Sequence, residues 1–275
     1  PFDPRAIDWF EYINEIHLPT VIAKGRVKTS PSSTSGKSRS LRLRNQVLDE
    51  RRQLAVFDLE NTLIASNVVS SWSYLATKRL PRSERIKLVM KTLAQAPGML
   101  ALDRKDRSDF LRSFYRRYAD APVTQLDEDS FEMFSELILA KSFPAGLLRV
   151  REHKALGHRT VLITGALDFV VKPLKPLFDE IISATLSHQE NYYTGQMQQV
   201  PPIGETRAAV LRRYADENNF DLAETVAYAD STSDLPMLEA VGFPVAVNPE
   251  PKLASLANRR GWLIENFQRV DGSPS

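Results

Sequence analysis

The sequence predicts an α/β protein: a parallel sheet covered by helices on both faces, interrupted by one all-helical insert. Three observations predict it. From Gln53 onwards, short β-rich runs alternate with helical stretches, the pattern of a parallel sheet built from strand–helix units. Those runs are continuously apolar rather than alternating, as strands buried on both faces are. One long stretch, 66–143, breaks the rhythm and holds only helical runs.

The elements follow in order. Residues 5–23 (RAIDWFEYINEIHLPTVIA) carry helical apolar periodicity closed by Pro19, so 1–23 is expected to be an N-terminal helix, the tail of an upstream domain. Residues 24–52 are expected to be a flexible basic linker. Seven bases and no acid fall between Lys24 and Arg44, among serines and few apolar residues. No aromatic residues interleave those charges, which favours a solvated spacer over a nucleic-acid or anionic-membrane tether. Expected strands are LAVFD (54–58), TVLIT (160–164), EIISA (180–184), TVAYA (225–229) and PVAV (244–247). Helices are expected at 146–156, 167–178, 205–217 and 233–241, giving a core over 53–65 and 144–270. Within the insert, helices are expected at 68–79, 83–95, 105–118 and 126–142.

Composition excludes several chemistries. At 275 residues and 43% hydrophobic, the chain can bury a sizeable core. The net charge of +2 is concentrated in the 24–44 segment, which leaves the remainder mildly acidic and gives no reason to expect nucleic acid as a partner. There is no cysteine, so disulfides, thiolate nucleophiles and cysteine zinc sites are ruled out. The four histidines have no close metal-ligand spacing. No apolar run approaches the ~18–20 residues a membrane span needs, and nothing resembles a secretory signal, so a cytoplasmic location is expected. The chain opens on Pro1, which suggests a piece of a longer polypeptide.

In a parallel sheet, ligands bind beyond the carboxyl ends of the strands. The residues expected there are Asp58, Thr164 with Gly165, and Asp230, with Asp234 four residues further on. Carboxylates from two strands meeting at one point would repel unless a cation lay between them, and a hard, oxygen-ligated ion such as Mg²⁺ is the natural candidate. A hydroxyl and a backbone N–H at the third strand end suit a phosphate oxygen.

DLENTL at 58–63, TG at 164–165, GETR at 204–207 and DSTSDLPML at 230–238 resemble, in that order, the motifs of the haloacid dehalogenase (HAD) superfamily. The helical insert is similar to that superfamily's type-1 cap, and YYTG (192–195) before GETR is similar to its phosphoserine-phosphatase-like branch. The resemblance covers about 53–265 and implies a Rossmann-like HAD core with an inserted cap at 66–143. It implies a Mg²⁺-dependent phosphatase in which Asp58 attacks phosphorus and forms an aspartyl-phosphate, with Glu60 as general acid. The metal would be held by Asp58, the backbone carbonyl of Glu60, and Asp230. Thr164, Gly165 and Arg207 would bind the phosphoryl group, and Asp234 would orient Arg207 or a metal-bound water.

The chain departs from that pattern twice. Glu60 stands where the acid is normally aspartate: its proton is as available, but its arm is one methylene longer. Arg207 stands where lysine is usual, with Lys172 and Lys175 as substitutes to consider. Both changes keep charge, which favours a working enzyme over a non-catalytic module that binds a phosphorylated ligand or another part of its parent protein. Phosphoserine phosphatases carry an amine-reading glutamate nine positions after the nucleophile. Here that position is Asn67, which argues against phosphoserine and leaves a small or lipid-derived phosphate ester. Trp72, Tyr74 and Met99 are candidates for an apolar substrate pocket, and Arg112, Arg116 and Arg117 for a second substrate anion. FDPRAIDWFEYINEIHLP resembles the tail of acyl-CoA-reductase-like short-chain dehydrogenases, which would make the chain one part of a fusion protein.

Overall fold

The structure, a computed structural model, describes residues 34–138 and 141–269. The expected helix at 5–23 and the first part of the expected linker lie outside the described residues. From Thr34 the linker expectation is corrected, because the chain forms a helix, α1 (Thr34–Val47). Two apolar residues four apart explain it. Val47 is buried and Leu43 packs against the same core, while Arg44 lies within 3.9 Å of Glu152 and 3.8 Å of Glu265. The serine-rich, basic composition hides that one anchoring stripe.

Strand β1 (Leu54–Phe57) is followed by β2 (Arg159–Leu167) and β3 (Glu180–Ala184). An antiparallel hairpin, β4 (Leu186–Gln189) and β5 (Tyr192–Met197), comes next. Strands β6 (Thr225–Ala229), β7 (Phe243–Val247) and β8 (Leu263–Glu265) complete the set. The main sheet has the order β3-β2-β1-β6-β7-β8, with every pairing parallel. All four residues of β1 are buried. Leu54 and Val56 enter a core with Val161, Ile163 and Leu211, while Ala55 and Phe57 enter another with Leu162, Phe178 and Tyr228. Burial on both faces is why the run reads as unbroken apolar sequence. The chain leaves β1 towards β2 on one side and returns to β6 on the other, so a switch point opens at the carboxyl ends of β1 and β6.

Between β1 and β2 lie α2 (Val68–Thr77), α3 (Arg82–Lys105), α4 (Arg107–Tyr115) and α5 (Val123–Met133). Trp72, Phe110, Phe114, Leu126 and Met133 give them a core of their own, which also takes in Leu167, Phe169 and Tyr193. Helix α6 (Pro144–Ala155) then leads into β2. The helix expected at 167–178 is instead the end of β2, a single turn α7 (Asp168–Val171) and a 3₁₀ stretch through Leu177. Pro173 and Pro176 lack the N–H groups a regular helix needs there. Helices α8 (Gly204–Asn218), α9 (Leu235–Glu239) and α10 (Pro251–Arg260) complete the core layers. Beneath the site, the Tyr228 ring stacks on Phe57 at 4.5 Å, and its hydroxyl is 2.7 Å from Nε2 of the fully buried His153.

Candidate active site

Asp58 directly follows β1, and its N–H donates to Tyr228 O at 2.9 Å, which carries the β1–β6 ladder one residue further. Asp230 directly follows β6. Asp58, Asp230 and Asp234 therefore meet at the switch point, each with a carboxylate oxygen within 4.8 Å of the others. Between them runs Arg207 from α8. Its Nη1 lies 2.7 Å from Asp58 Oδ1 and also contacts Asp234 Oδ1, while Nε donates to Pro202 O at 3.1 Å. Ser231 donates to the other oxygen of Asp234 at 2.9 Å. Asp234 is thus occupied by Arg207 and Ser231, which leaves Asp58 and Asp230 as the freer carboxylates.

Electrostatics follow from this crowding. Burial pushes the Asp58 carboxyl well above its usual range, Arg207 pulls it back, and Asp234, Asp230 and Glu60 push it up again. Asp230 is raised to about 7, first by burial and then by Asp234, against a hydrogen bond from Asn61. One guanidinium does not balance two buried carboxylates and a half-buried third. An all-oxygen donor set short of positive charge fits a hard divalent cation, and these residues suit Mg²⁺ on that ground.

A cavity of about 220 Å³ is lined by Asp58, Glu60, Asn61, Arg107, Gly165 and Arg207, and also by Asp230, Asp234 and Glu250. Burial raises the Glu60 carboxyl, and Arg107 opposes the shift. Arg107 is the first residue of α4. Its Nη2 donates to Glu60 Oε2 at 3.0 Å, and its Nη1 to Asp103 Oδ1 at 3.2 Å. The extra methylene of Glu60 thus carries the carboxylate to a guanidinium of the insert. Asn61 turns the chain away at φ +55°, a left-handed conformation asparagine tolerates.

The Thr164–Gly165 pair lies inside β2, at the point where its pairing with β3 shifts register, and not beyond its end as expected. Gly165 lines the cavity; Thr164 next to it is buried, and its Oγ1 accepts the Ala166 N–H at 3.1 Å. A Cβ at Gly165 would lie 2.7 Å from Ile203 Cγ2, just ahead of α8, and 3.1 Å from Leu111 Cδ1 of α4, so any larger residue would have to displace the Ile203 side chain. Tyr115 of α4 donates to Gly165 O at 2.8 Å. Helix α4 is therefore tied to the site at both ends, through Arg107 and Tyr115.

Several expected residues sit elsewhere. Lys172 pairs with Asp127, and neither it nor Lys175 lines the cavity. Trp72 is core, packed edge-on against Phe114, and Tyr74 donates to Glu136 at 2.6 Å. Of that trio only Met99 reaches an open cavity, a second one. Arg117 covers Trp72 at 5.0 Å, Arg112 lies 3.9 Å from Asp109, and none of Arg112, Arg116 and Arg117 lines the site. Asn67 caps α2, accepting the Ser70 N–H at 2.9 Å. Sequence reasoning missed Arg107, Asn61 and Glu250. Only Asn61, inside the first motif, carried a local signal.

Residues 55–239 match the family model of the haloacid dehalogenase-like hydrolases. A histidinol-phosphatase from Neisseria meningitidis serogroup C (strain 8013) is 30% identical over 226 residues, which cover 79% of this chain and all of the relative. A probable phosphoserine phosphatase from Vibrio cholerae superposes with a TM-score of 0.60 at 21% identity, covering 82% of this chain and 64% of that one. A phosphoserine phosphatase structure described as a phospho-aspartyl intermediate analogue gives 0.56 at 18% identity, over 79% and 94% of the two chains. The chain belongs to the haloacid dehalogenase-like hydrolase family. It is an enzyme of that family's phosphoric monoester hydrolase class, as the motifs implied. Among the described residues no helix is long and apolar enough to cross a membrane.

Proposed function

We propose that the protein hydrolyses a phosphate monoester through an aspartyl-phosphate on Asp58, with the 66–143 insert serving as a cap. The observation that carries this reading is the Arg207 guanidinium bridging Asp58 and Asp234, with Asp230 beside them and Glu60 lining the same cavity. An Asp58 oxygen would attack phosphorus in line, and the bond to the ester oxygen would break. Glu60, held raised by burial, would give its proton to that leaving oxygen. Arg207 would neutralise the phosphoryl oxygens, assisted by the Gly165 N–H and by the Thr164 hydroxyl, which accepts one hydrogen bond and keeps its proton to donate. Glu60, now a carboxylate, would take a proton from the water that attacks the aspartyl-phosphate, releasing phosphate and restoring Asp58.

Mg²⁺ would be held by Asp58, the Glu60 carbonyl and Asp230, with Asp234 fixing Arg207 beside it. When bound, it would screen the anions from one another and stabilise charge on the transferring phosphoryl group. Arg107 would keep Glu60 aimed at the leaving oxygen. Asn67 presents no anion to an ammonium, which favours substrates other than phosphoserine.

The test is phosphate release from a panel of esters with Mg²⁺, with chelator, and in Asp58→Asn. Turnover that needs both the metal and Asp58 is expected. If no ester turns over while Mg²⁺ with a phosphate mimic raises the melting temperature, the fold is a binding module.

A further inference from the structure

A second cavity, about 310 Å³, opens in the helical insert between α2, α3 and the start of α4. Its walls are Val69, Leu93, Ala96, Met99, Leu100 and Phe110. Thr92 also lines it, but its hydroxyl is spent on Leu88 O at 2.9 Å, so it offers no free donor. The other polar lining residues are Asn67, whose Oδ1 accepts the Ser70 N–H at 2.9 Å, and the pair Asp103 and Arg107, the latter bridging Asp103 and Glu60. Val68 and Arg107 line this cavity and the catalytic cavity alike, so the two adjoin at those side chains, and Arg107 reaches from there to Glu60 of the catalytic cavity. On the reading above, that is where the leaving oxygen sits.

The apolar walls are not simply the insert's own core. Leu93 and Leu100 are 60% and 56% exposed, and Ile86, Val89 and Met90 on the same helix are exposed as well. Spacings of 86, 89/90, 93, 96 and 100 place them along one face of α3, which continues the cavity wall outwards. An exposed apolar stripe of this kind marks a binding surface. Here the stripe leads into a catalytic cavity, which fixes the occupant as a part of the substrate. Order along the path matches a molecule charged at one end: carboxylates and Arg207, then Glu60 and Arg107, then aliphatic side chains.

We propose that this groove binds the alcohol portion of the substrate, and that the substrates are phosphate monoesters of apolar, chain-like alcohols. The inference rests on the phosphatase reading for its geometry. Chain atoms lying against Val69, Ala96 and Leu100 leave water, and the gain draws the ester oxygen towards Glu60.

The test uses two series on the intact protein. With n-alkyl phosphates from methyl to octyl in Mg²⁺, kcat/KM should rise about four-fold per methylene, equivalent to about 0.8 kcal/mol each, until the chain outgrows the groove. With n-alkylphosphonates, which cannot be hydrolysed, the dissociation constant measured by calorimetry should fall in step. Leu93→Asp/Leu100→Asp changes two exposed residues, and Ala96→Trp fills the groove from a half-buried position. Each should collapse the octyl-to-methyl ratio towards one in both series, with circular dichroism confirming the fold. A flat series in the wild type, or a slope that survives both variants, overturns the proposal. Hydrolysis without chain-length dependence removes the groove and leaves the phosphatase reading standing. A phosphonate slope abolished by the variants, with no ester hydrolysed, keeps the groove and removes the phosphatase reading.

Discussion

Replacing Arg207 by methionine removes the cation that, among the described residues, touches both Asp58 and Asp234, while keeping an unbranched, flexible side chain. The guanidinium is buried, contacts both carboxylates through Nη1, and donates from Nε to Pro202 O. Without it, Asp58, Asp230 and Asp234 crowd within 4.8 Å of one another with no counter-charge among them. Breaking a buried ion pair by deleting one partner costs about 3–5 kcal/mol. At about 2–4 °C per kcal/mol for a domain of this size, metal-free Arg207→Met should melt about 6–20 °C below the wild type. Mg²⁺ at a hundred times its dissociation constant adds about 2.7 kcal/mol to any protein that binds it only when folded. In the variant the ion also supplies the missing positive charge, so its effect should be larger and the gap between the proteins should narrow. Phosphatase activity should fall about 10²–10³-fold even so, since a lost phosphoryl-oxygen donor is not replaced. Arg207→Lys should recover most of the stability. The assay is thermal unfolding by circular dichroism with Mg²⁺ and with chelator. A gap of the same size in both conditions would refute the idea that Arg207 and the metal share one charge balance.

Three further outcomes are expected. Glu60→Gln should lose most activity on alkyl phosphates and least on aryl phosphates, whose leaving groups depart as stabilised anions; equal losses on both would remove Glu60 as the acid. Asp230, raised to about 7 from 3.8, carries a proton in the metal-free folded state that the unfolded chain has lost. Its contribution to stability should therefore fall as pH rises from about 4 to about 7, and calorimetric Mg²⁺ affinity should weaken by up to about ten-fold per unit on the acid side of 7. A Mg²⁺ affinity independent of pH would contradict that assignment. Gly242→Ala would place a Cβ 2.0 Å from Ala223 O, a backbone clash, and should lower the melting temperature by about 2–12 °C for about 1–3 kcal/mol of strain.

The parts of the site that could be read from sequence are those attached to the sheet. Asp58 and Asp230 each end an unbroken apolar run, because β1 and β6 are buried on both faces and their carboxyl ends open at the switch point. Arg207 was legible through its motif on α8. Arg107 was not: it sits in DRKDRSD, where charges in both signs read as a solvated helix surface, and only the folding back of α4 brings it to Glu60. The same holds for Leu93 and Leu100, whose helical spacing is that of any insert core until their exposure is known. Helix α1 was hidden by its serines and bases, since among its described residues the apolar packing comes from Leu43 and Val47. The β4–β5 hairpin is short and polar, with Glu190 at its turn in the left-handed region, and gave no apolar run to detect. Thr164 and Gly165 were found by type and misplaced in geometry, because an irregularity in β2 carries the strand past them.

On the proposed mechanism Asp58 is the nucleophile that receives the phosphoryl group from the substrate. The direct measurement is acid quenching of the Mg²⁺-loaded protein during turnover of a reactive phosphoryl donor such as acetyl phosphate or an aryl phosphate, followed by peptide mass spectrometry. The account predicts one phosphoryl group on the peptide containing Asp58, removed by hydroxylamine as an acyl phosphate is, and absent in Asp58→Asn. Turnover with an unmodified Asp58 peptide under conditions that trap the intermediate, or a phosphoryl group on another residue, would contradict it.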